Sequence, residues 1–176
     1  MKEPIELELL HAHGEVCAMY GYRDVTITVW HASGDEAAVH SLDEVSFRRL
    51  PRFPRGVSGV HVIKEGTGLP SAGARAALVA SARKWAGQIA AVAVVIEQAG
   101  FFGSAMRSMV TGIQLLSKAE YPMRVFATTR AVADWLPVPH AERTGTVLEP
   151  ASFDAAMQRA CALKSTAPRV PASGRR

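Results

Sequence analysis

Histidines are the side chains of this chain best suited to bind a metal, and two of them have a suggestive spacing. His11 and His13 are separated by one residue, which in a strand turns both imidazoles to the same face. No adjacent cysteine or aspartate completes a ligand set, so a solvated pair is the favoured interpretation. His31 and His61 show no motif spacing, and either one could face the core of a sheet. The sequence therefore predicts no metal site.

Residues for acid-base or nucleophilic catalysis are sparse. The chain has no G-x-S-x-G elbow, and Ser104 follows Gly103 without the flanking glycine pattern. Glu65 and Glu97 form the best pair of acids, because each follows a predicted strand of the same parallel sheet. The segment 66–68 (GTG) is too short for a dinucleotide fingerprint. We therefore expect no enzyme activity and no cofactor.

Cysteine usage and the position of the charges limit the compartment and the partners. The two cysteines, Cys17 and Cys161, lack CxxC spacing and fit small core residues in a reducing compartment. The net charge of +4 comes from four basic residues in 164–176, and the remaining 16 basic and 16 acidic residues balance. We expect a disordered basic tail rather than a nucleic-acid-binding arm. The N-terminal segment does not resemble a signal peptide and no apolar run reaches the roughly 20 residues of a membrane span, which predicts a cytoplasmic protein.

The elements that would position these residues can be predicted from the hydrophobic pattern. The continuous apolar run 89–96 (IAAVAVVI) predicts a strand buried on both faces. Phe102, Met106, Met109 and Ile113 then recur at helical spacing. The same criteria predict strands at 15–20, 25–30, 57–64, 89–96 and 123–127, and helices at 36–50, 71–86, 101–117, 131–136 and 152–164. The first helix would be capped by Ser33 or Asp35, the second by Ser71 and the last by Ser152.

The predicted order of elements is β-β-α-β-α-β-α-β-α. Helical crossovers make the later strands parallel, and an opening hairpin makes the sheet mixed. This order predicts an α/β fold with a mixed, mostly parallel sheet and flanking helices. The domain would span 15–136, preceded by an extension (1–14) and followed by a linker with an appended helix (137–164) and the basic tail (165–176). Apolar residues alternate with acids in 5–10, which could add a strand to this sheet or to that of another subunit.

Three local strings, together with this order, resemble the STAS domain of sulphate transporters and anti-sigma-factor antagonists, and the related STAS/SEC14-type small bacterial proteins. They are residues 65–69 (EGTGL) after the third predicted strand, 124–126 (RVF) in the last strand, and 131–136 (AVADWL) in the helix that follows. The resemblance covers about 15–136. It implies a regulatory module in signalling that acts through contact with a protein partner. SEC14-type relatives imply instead a module that binds a small molecule or lipid.

The loop at 65–69 departs from the antagonist pattern. Gly66 stands where the antagonists carry a phosphorylated serine, so phosphorylation there would have to use Thr67 or Ser71. A phosphate near the start of a helix would be stabilised by backbone N–H groups and the helix dipole. We favour the simpler interpretation that Ser71 caps the helix and Thr67 belongs to the turn.

The rim at the carboxyl ends of the parallel strands is where ligands and partners are expected to bind. Phe101 and Phe102 are adjacent at the start of a helix, so we expect that at least one is exposed or lies in a pocket beside Arg107, a composition typical of protein-contact hot spots. The rim as predicted comprises Glu65, Thr67, Ser71, Glu97, Gln98, Phe101, Phe102, Ser104, Arg107, Thr128 and Arg130. The first prediction is a non-catalytic regulatory module that binds a protein partner here, with a homo-oligomer possible. The second is a module with an apolar cavity for a small molecule or lipid, and an enzyme is the least expected.

Overall fold

The computed structural model describes residues 6–163, and the predicted basic tail lies outside the described residues. The strands are β1 (Glu8–His13), β2 (Cys17–Tyr22), β3 (Val25–Trp30), β4 (Val57–Ile63), β5 (Ile89–Ile96) and β6 (Met123–Phe126). The helices are α1 (Glu36–Arg49), α2 (Ala72–Trp85), α3 (Gly100–Ser117), α4 (Thr129–Trp135), α5 (Pro137–Thr144) and α6 (Pro150–Ala162). Within 6–163, none of these helices combines the length and the apolar character needed to cross a membrane.

The six strands form one sheet in sequential order, from β1 to β6. β1, β2 and β3 are antiparallel, and β3 to β6 run parallel. The predicted α/β fold with a mixed, mostly parallel sheet is therefore confirmed. The apolar run β5 pairs in parallel with β6, and α3 connects them, as the hydrophobic pattern predicted.

Helices cover both faces of the sheet. The three crossover helices α1, α2 and α3 lie on one face, because crossovers of one hand between sequential strands return on the same side. The last three helices close the other face, where Phe153 and Met157 of α6 pack on Ile27 and Val29 of β3. The side chains of a strand alternate between faces, so Thr28 and Trp30 point toward the crossover helices. We call this side the crossover face.

The N-terminal segment belongs to the sheet of its own chain. β1 pairs antiparallel with β2, with a bulge between Leu9 and His11. His11 and His13 thus lie within a strand. The turn between β2 and β3 is shorter than predicted, since β2 extends to Tyr22 and Arg23 takes the left-handed conformation (φ 53°).

Two predictions for the C-terminal third were wrong. Residues 137–144 form α5 rather than a linker. The N–H groups of the first helical turn have no partner within the helix, so a proline there costs no hydrogen bond. Gly145 (φ 75°) ends α5 in the left-handed conformation. The cap of α6 is Glu149 and not Ser152. The Glu149 carboxylate accepts hydrogen bonds from the N–H groups of Ala151 (3.0 Å) and Ser152 (2.6 Å).

Candidate binding cavity

A cavity of about 210 Å³ lies between the sheet and α1, α2 and α3. Its floor is the crossover face of β3, β4 and β5, and its roof is the middle of α2 with the side of α3. Most of the lining is apolar. The floor is formed by Thr26, Thr28, Trp30, Gly59, His61, Val92 and Val94, and the roof includes Leu78, Ser81, Ala82, Met106, Met109 and Ile113.

The sequence of α2 explains why space remains beneath it. Only Ala74 and Trp85, near its two ends, are buried. The segment between them is rich in alanine, and α2 packs mainly against α1 and α3 rather than on the strands. A helix held at its ends with short side chains in its middle leaves space between itself and the sheet.

A glycine in the floor adds to the volume of the cavity. Gly59 of β4 lies in register with Thr26 of β3 and Val92 of β5. A Cβ added at Gly59 would come no nearer than 3.7 Å to Val92 Cγ2, 3.9 Å to Thr26 Oγ1 and 4.0 Å to His61 Nε2. These are ordinary van der Waals distances, so the position has room that no side chain fills.

His61 is the principal polar group of the floor. Its Nδ1 accepts a hydrogen bond from the indole Nε1–H of Trp30 (3.3 Å), and the two rings stack. Because indole nitrogen can only donate, the ring proton of neutral His61 must be on Nε2. Burial lowers the pKa of His61 from 6.5 to about 4, so the imidazole is neutral at pH 7. Its Nε2 has no partner among the described residues and stays accessible from the cavity.

The two ends of the cavity differ in character. At the carboxyl ends of the strands, the hydroxyl of Thr67 donates to the Trp30 carbonyl (3.1 Å), and Gln98 donates to the Thr67 carbonyl (2.6 Å). At the opposite end lies Arg49, which is only 6% exposed. Its guanidinium donates to the Arg23 carbonyl and lies 3.8 Å from the Glu8 carboxylate. Burial lowers the pKa of Arg49, and its Nε has no partner within the described part of the chain.

Asp43 of α1 binds the C-terminal half of α2 to α1 through hydrogen bonds. Its carboxylate accepts hydrogen bonds from Ser81 (2.7 Å), Lys84 (2.8 Å) and the indole of Trp85. Burial alone would raise the pKa of Asp43, but these hydrogen bonds and the Lys84 charge lower it overall. The N-terminal half of α2 begins at its cap Ser71, whose Oγ accepts from the N–H of Ala74 (3.1 Å).

A second concavity lies on the outside of the same helices. This groove between α2 and α3, of about 480 Å³, is lined by Leu69, Arg75, Ala76, Val79, Met109, Gly112, Ile113 and Leu116. Met109 and Ile113 line both the groove and the cavity. The side chains of these two residues therefore lie at the boundary between the groove and the cavity.

The residues of the rim predicted from sequence make different local contacts. Thr67 is the one predicted rim residue that lines the cavity. Glu97 pairs with Lys64 (2.8 Å), Arg130 pairs with Asp134 (3.3 Å), and Ser71 and Thr128 cap α2 and α4. Ser104 donates to the Gly100 carbonyl (3.2 Å), Glu65 is exposed and Arg107 is partly buried. Of the two candidate phosphorylation sites, Ser71 is exposed, while the Thr67 hydroxyl is buried and bonded.

The two phenylalanines at the start of α3 are both exposed. Phe101 has 83% and Phe102 has 56% of its surface accessible, and their ring centroids lie 6.1 Å apart, edge to face. Neither ring lines the cavity. They form an apolar projection on the rim.

A buried serine, histidine and aspartate lie in a row on the other face of the sheet, and sequence reasoning missed them. Ser58 Oγ is 2.8 Å from His140 Nδ1, and His140 Nε2 is 3.1 Å from Asp24 Oδ1. Ser58 and His140 are completely buried, so no substrate can approach the hydroxyl in this structure. The row holds α5 against β4 and the turn before β3. It is a structural network, and no sequence motif announces it because its members are far apart in the chain.

His11 and His13 lie on the same face of β1, as predicted, with ring centroids 6.4 Å apart. His13 Nδ1 contacts Ser41 Oγ of α1 (3.2 Å). Among the described residues, no group of three or more potential ligands could hold a metal.

A scan against protein-family models and a search of curated proteins found no match to this chain.

Proposed function

We propose that the protein is a non-catalytic binding module that holds a small apolar molecule in the cavity between the sheet and α2. The observation that carries this proposal is the cavity itself, whose lining is mostly apolar with few polar groups. Concave apolar sites with a few placed polar groups are the usual form of small-molecule sites. A cavity of 150 Å³ in another protein holds benzene, so 210 Å³ scales to a ligand of about eight non-hydrogen atoms.

The helix above the cavity offers a way in. The middle of α2 packs mainly against α1 and α3, and Met109 and Ile113 line both the cavity and the outer groove. Rotation of such side chains is fast compared with the movement of a helix. We therefore expect a ligand to enter between α2 and α3 without unfolding of the sheet.

The test is binding of α-methylstyrene, an apolar probe of about the right size, followed by the fluorescence of Trp30 and Trp85, which line the cavity. The Gly59→Val variant places two methyl groups in the cavity and should abolish binding. The matched control is Gly87→Val, since a Cβ at Gly87 meets open space. Saturable binding to the wild type and the control but not to Gly59→Val supports the proposal. Absence of binding to the wild type, or equal binding to all three, contradicts it.

A second candidate function is the STAS-like regulatory module that binds a protein partner at the rim. The exposure of Phe101 and Phe102 favours it, because exposed aromatic side chains are enriched at protein contacts. A Phe101→Ala, Arg107→Ala variant should lose a partner that the wild type retains in affinity purification, with an unchanged circular dichroism spectrum. Leu115→Ala, at another exposed apolar residue of α3, is the control. Retention of the same partner by the double variant would count against this surface.

A further inference from the structure

Thr28 and His61 are neighbouring polar side chains on the floor of the cavity. We infer that the ligand is uncharged and carries a hydrogen-bond acceptor of the carbonyl type, which binds the Nε2–H of His61 and the hydroxyl of Thr28. The inference rests on the proposed function and specifies the chemical class of the ligand.

The register of the sheet brings the two groups together. Thr28 of β3 and His61 of β4 are direct partners in the parallel ladder, and both side chains point into the cavity. Side chains opposite each other on one face of adjacent strands are close enough to contact the same atom of a ligand. Neither Thr28 Oγ1 nor His61 Nε2 has a hydrogen-bond partner among the described residues.

The hydrogen bond from Trp30 determines that His61 presents a hydrogen-bond donor to the cavity. Because the Trp30 indole occupies Nδ1 of His61, Nε2 presents its proton toward the cavity. The Thr28 hydroxyl can also donate. The two donors line the same face of a mostly apolar cavity, and one carbonyl oxygen has two lone pairs with which it can accept from both. A ligand with an acceptor at this point gains hydrogen bonds that a hydrocarbon of the same shape cannot make.

A charged ligand is disfavoured at this position. A carboxylate beside a neutral imidazole would be buried without a compensating cation, which is far more costly than burial of a carbonyl. The cation that lines the cavity is Arg49, which belongs to the opposite end of the strands and already has Glu8 at 3.8 Å. Preference for a carboxylate would therefore place the recognition point at Arg49 rather than at His61.

Three probes of the same size separate these alternatives: acetophenone, α-methylstyrene, in which a CH₂ group replaces the carbonyl oxygen, and benzoate. Each is titrated into the wild type, into Thr28→Val, and into a Trp30→Phe, His61→Phe double variant. The double variant removes the donor together with the indole that would otherwise lose its acceptor. The loss of one neutral hydrogen bond should weaken acetophenone binding by about five- to tenfold in each variant. Binding of α-methylstyrene to each variant is the reference for changes in the shape of the cavity, and the ratio of the two dissociation constants should change by that factor.

The outcomes separate the inference from the proposed function. Equal weakening of acetophenone and α-methylstyrene, or tighter binding of benzoate than of acetophenone, overturns the inference and leaves the cavity as a binding site. Failure of all three probes to bind the wild type overturns the proposed function. If the double variant does not fold, the imidazole ¹⁵N spectrum of the wild type decides. The His61 Nε2–H signal should shift with acetophenone and stay in place with α-methylstyrene, and the same response to both probes contradicts the inference.

Discussion

Replacement of Gly59 by alanine should stabilise the protein, which is the reverse of what a substitution in a buried strand usually does. The Cβ would enter space above the floor of the cavity, with its nearest neighbour at 3.7 Å. Glycine in a strand costs roughly 0.5–1 kcal/mol relative to alanine. Burial of one methyl group contributes about 0.8 kcal/mol. We therefore expect the free energy of unfolding to rise by about 1–2 kcal/mol.

The assay is urea denaturation followed by tryptophan fluorescence. With a slope of about 2 kcal/mol per molar urea, the midpoint should rise by roughly 0.5–1 M at an unchanged slope. The control is the same substitution three residues earlier. Gly56 has φ 107°, and a Cβ there would lie 2.7 Å from the backbone carbonyl oxygen of Gln88. Gly56→Ala should therefore lower the free energy of unfolding by about 1–3 kcal/mol.

Opposite signs at these two glycines are the essential result. If Gly59→Ala lowered the midpoint as Gly56→Ala does, the space above β4 would not exist in solution. The argument for a ligand would then lose its basis.

Three further predictions concern single side chains. Because burial holds the pKa of His61 at about 4 against 6.5 when unfolded, the unfolded state binds the proton first, and stability should fall between about pH 6.5 and 4 by up to roughly 3 kcal/mol. Urea midpoints for the wild type and His61→Gln should diverge in this range, and parallel pH profiles would refute the assignment. His140→Ala leaves Ser58 and Asp24 buried without their partner and should cost about 3 kcal/mol in the free energy of unfolding; a loss below about 1 kcal/mol contradicts the network. Ser71→Ala removes the cap of α2 and should cost about 1 kcal/mol by the same measurement, while an unchanged midpoint would show that the cap is dispensable.

Several parts of the candidate site had a signal in the sequence that was not recognised. Thr26 and Thr28 alternate with Val25, Ile27 and Val29, which puts two hydroxyls on one face of a buried strand. On the next strand, Gly59 and His61 alternate with apolar residues in the same way. Small and polar residues on matching faces of neighbouring strands indicate either a close approach of a helix or a cavity. The sequence does not distinguish these, because the outcome depends on how far away the helix lies.

The prediction of the rim was limited for another reason. Topology correctly predicts which residues follow the carboxyl ends of parallel strands, but it does not say whether their side chains are free. Several are occupied in local structure. Ser71 and Thr128 cap helices, and Glu97 is paired with Lys64. Phe101 and Phe102 are exposed, in accord with the argument that adjacent residues at a helix start cannot both be buried.

The amino-acid sequence by itself determined the order of β2 to β6 with their connecting helices and the parallel pairing of β5 with β6. These depend on local periodicity and on the handedness of short connections, which a few neighbouring residues specify. The tertiary structure alone decided the cavity, the tautomer of His61 and the Ser58–His140–Asp24 row. Trp30 and His61 are 31 residues apart, and Asp24 and His140 are 116 residues apart. Such contacts form when separate elements pack, and the space between them is set by whichever side chains meet there.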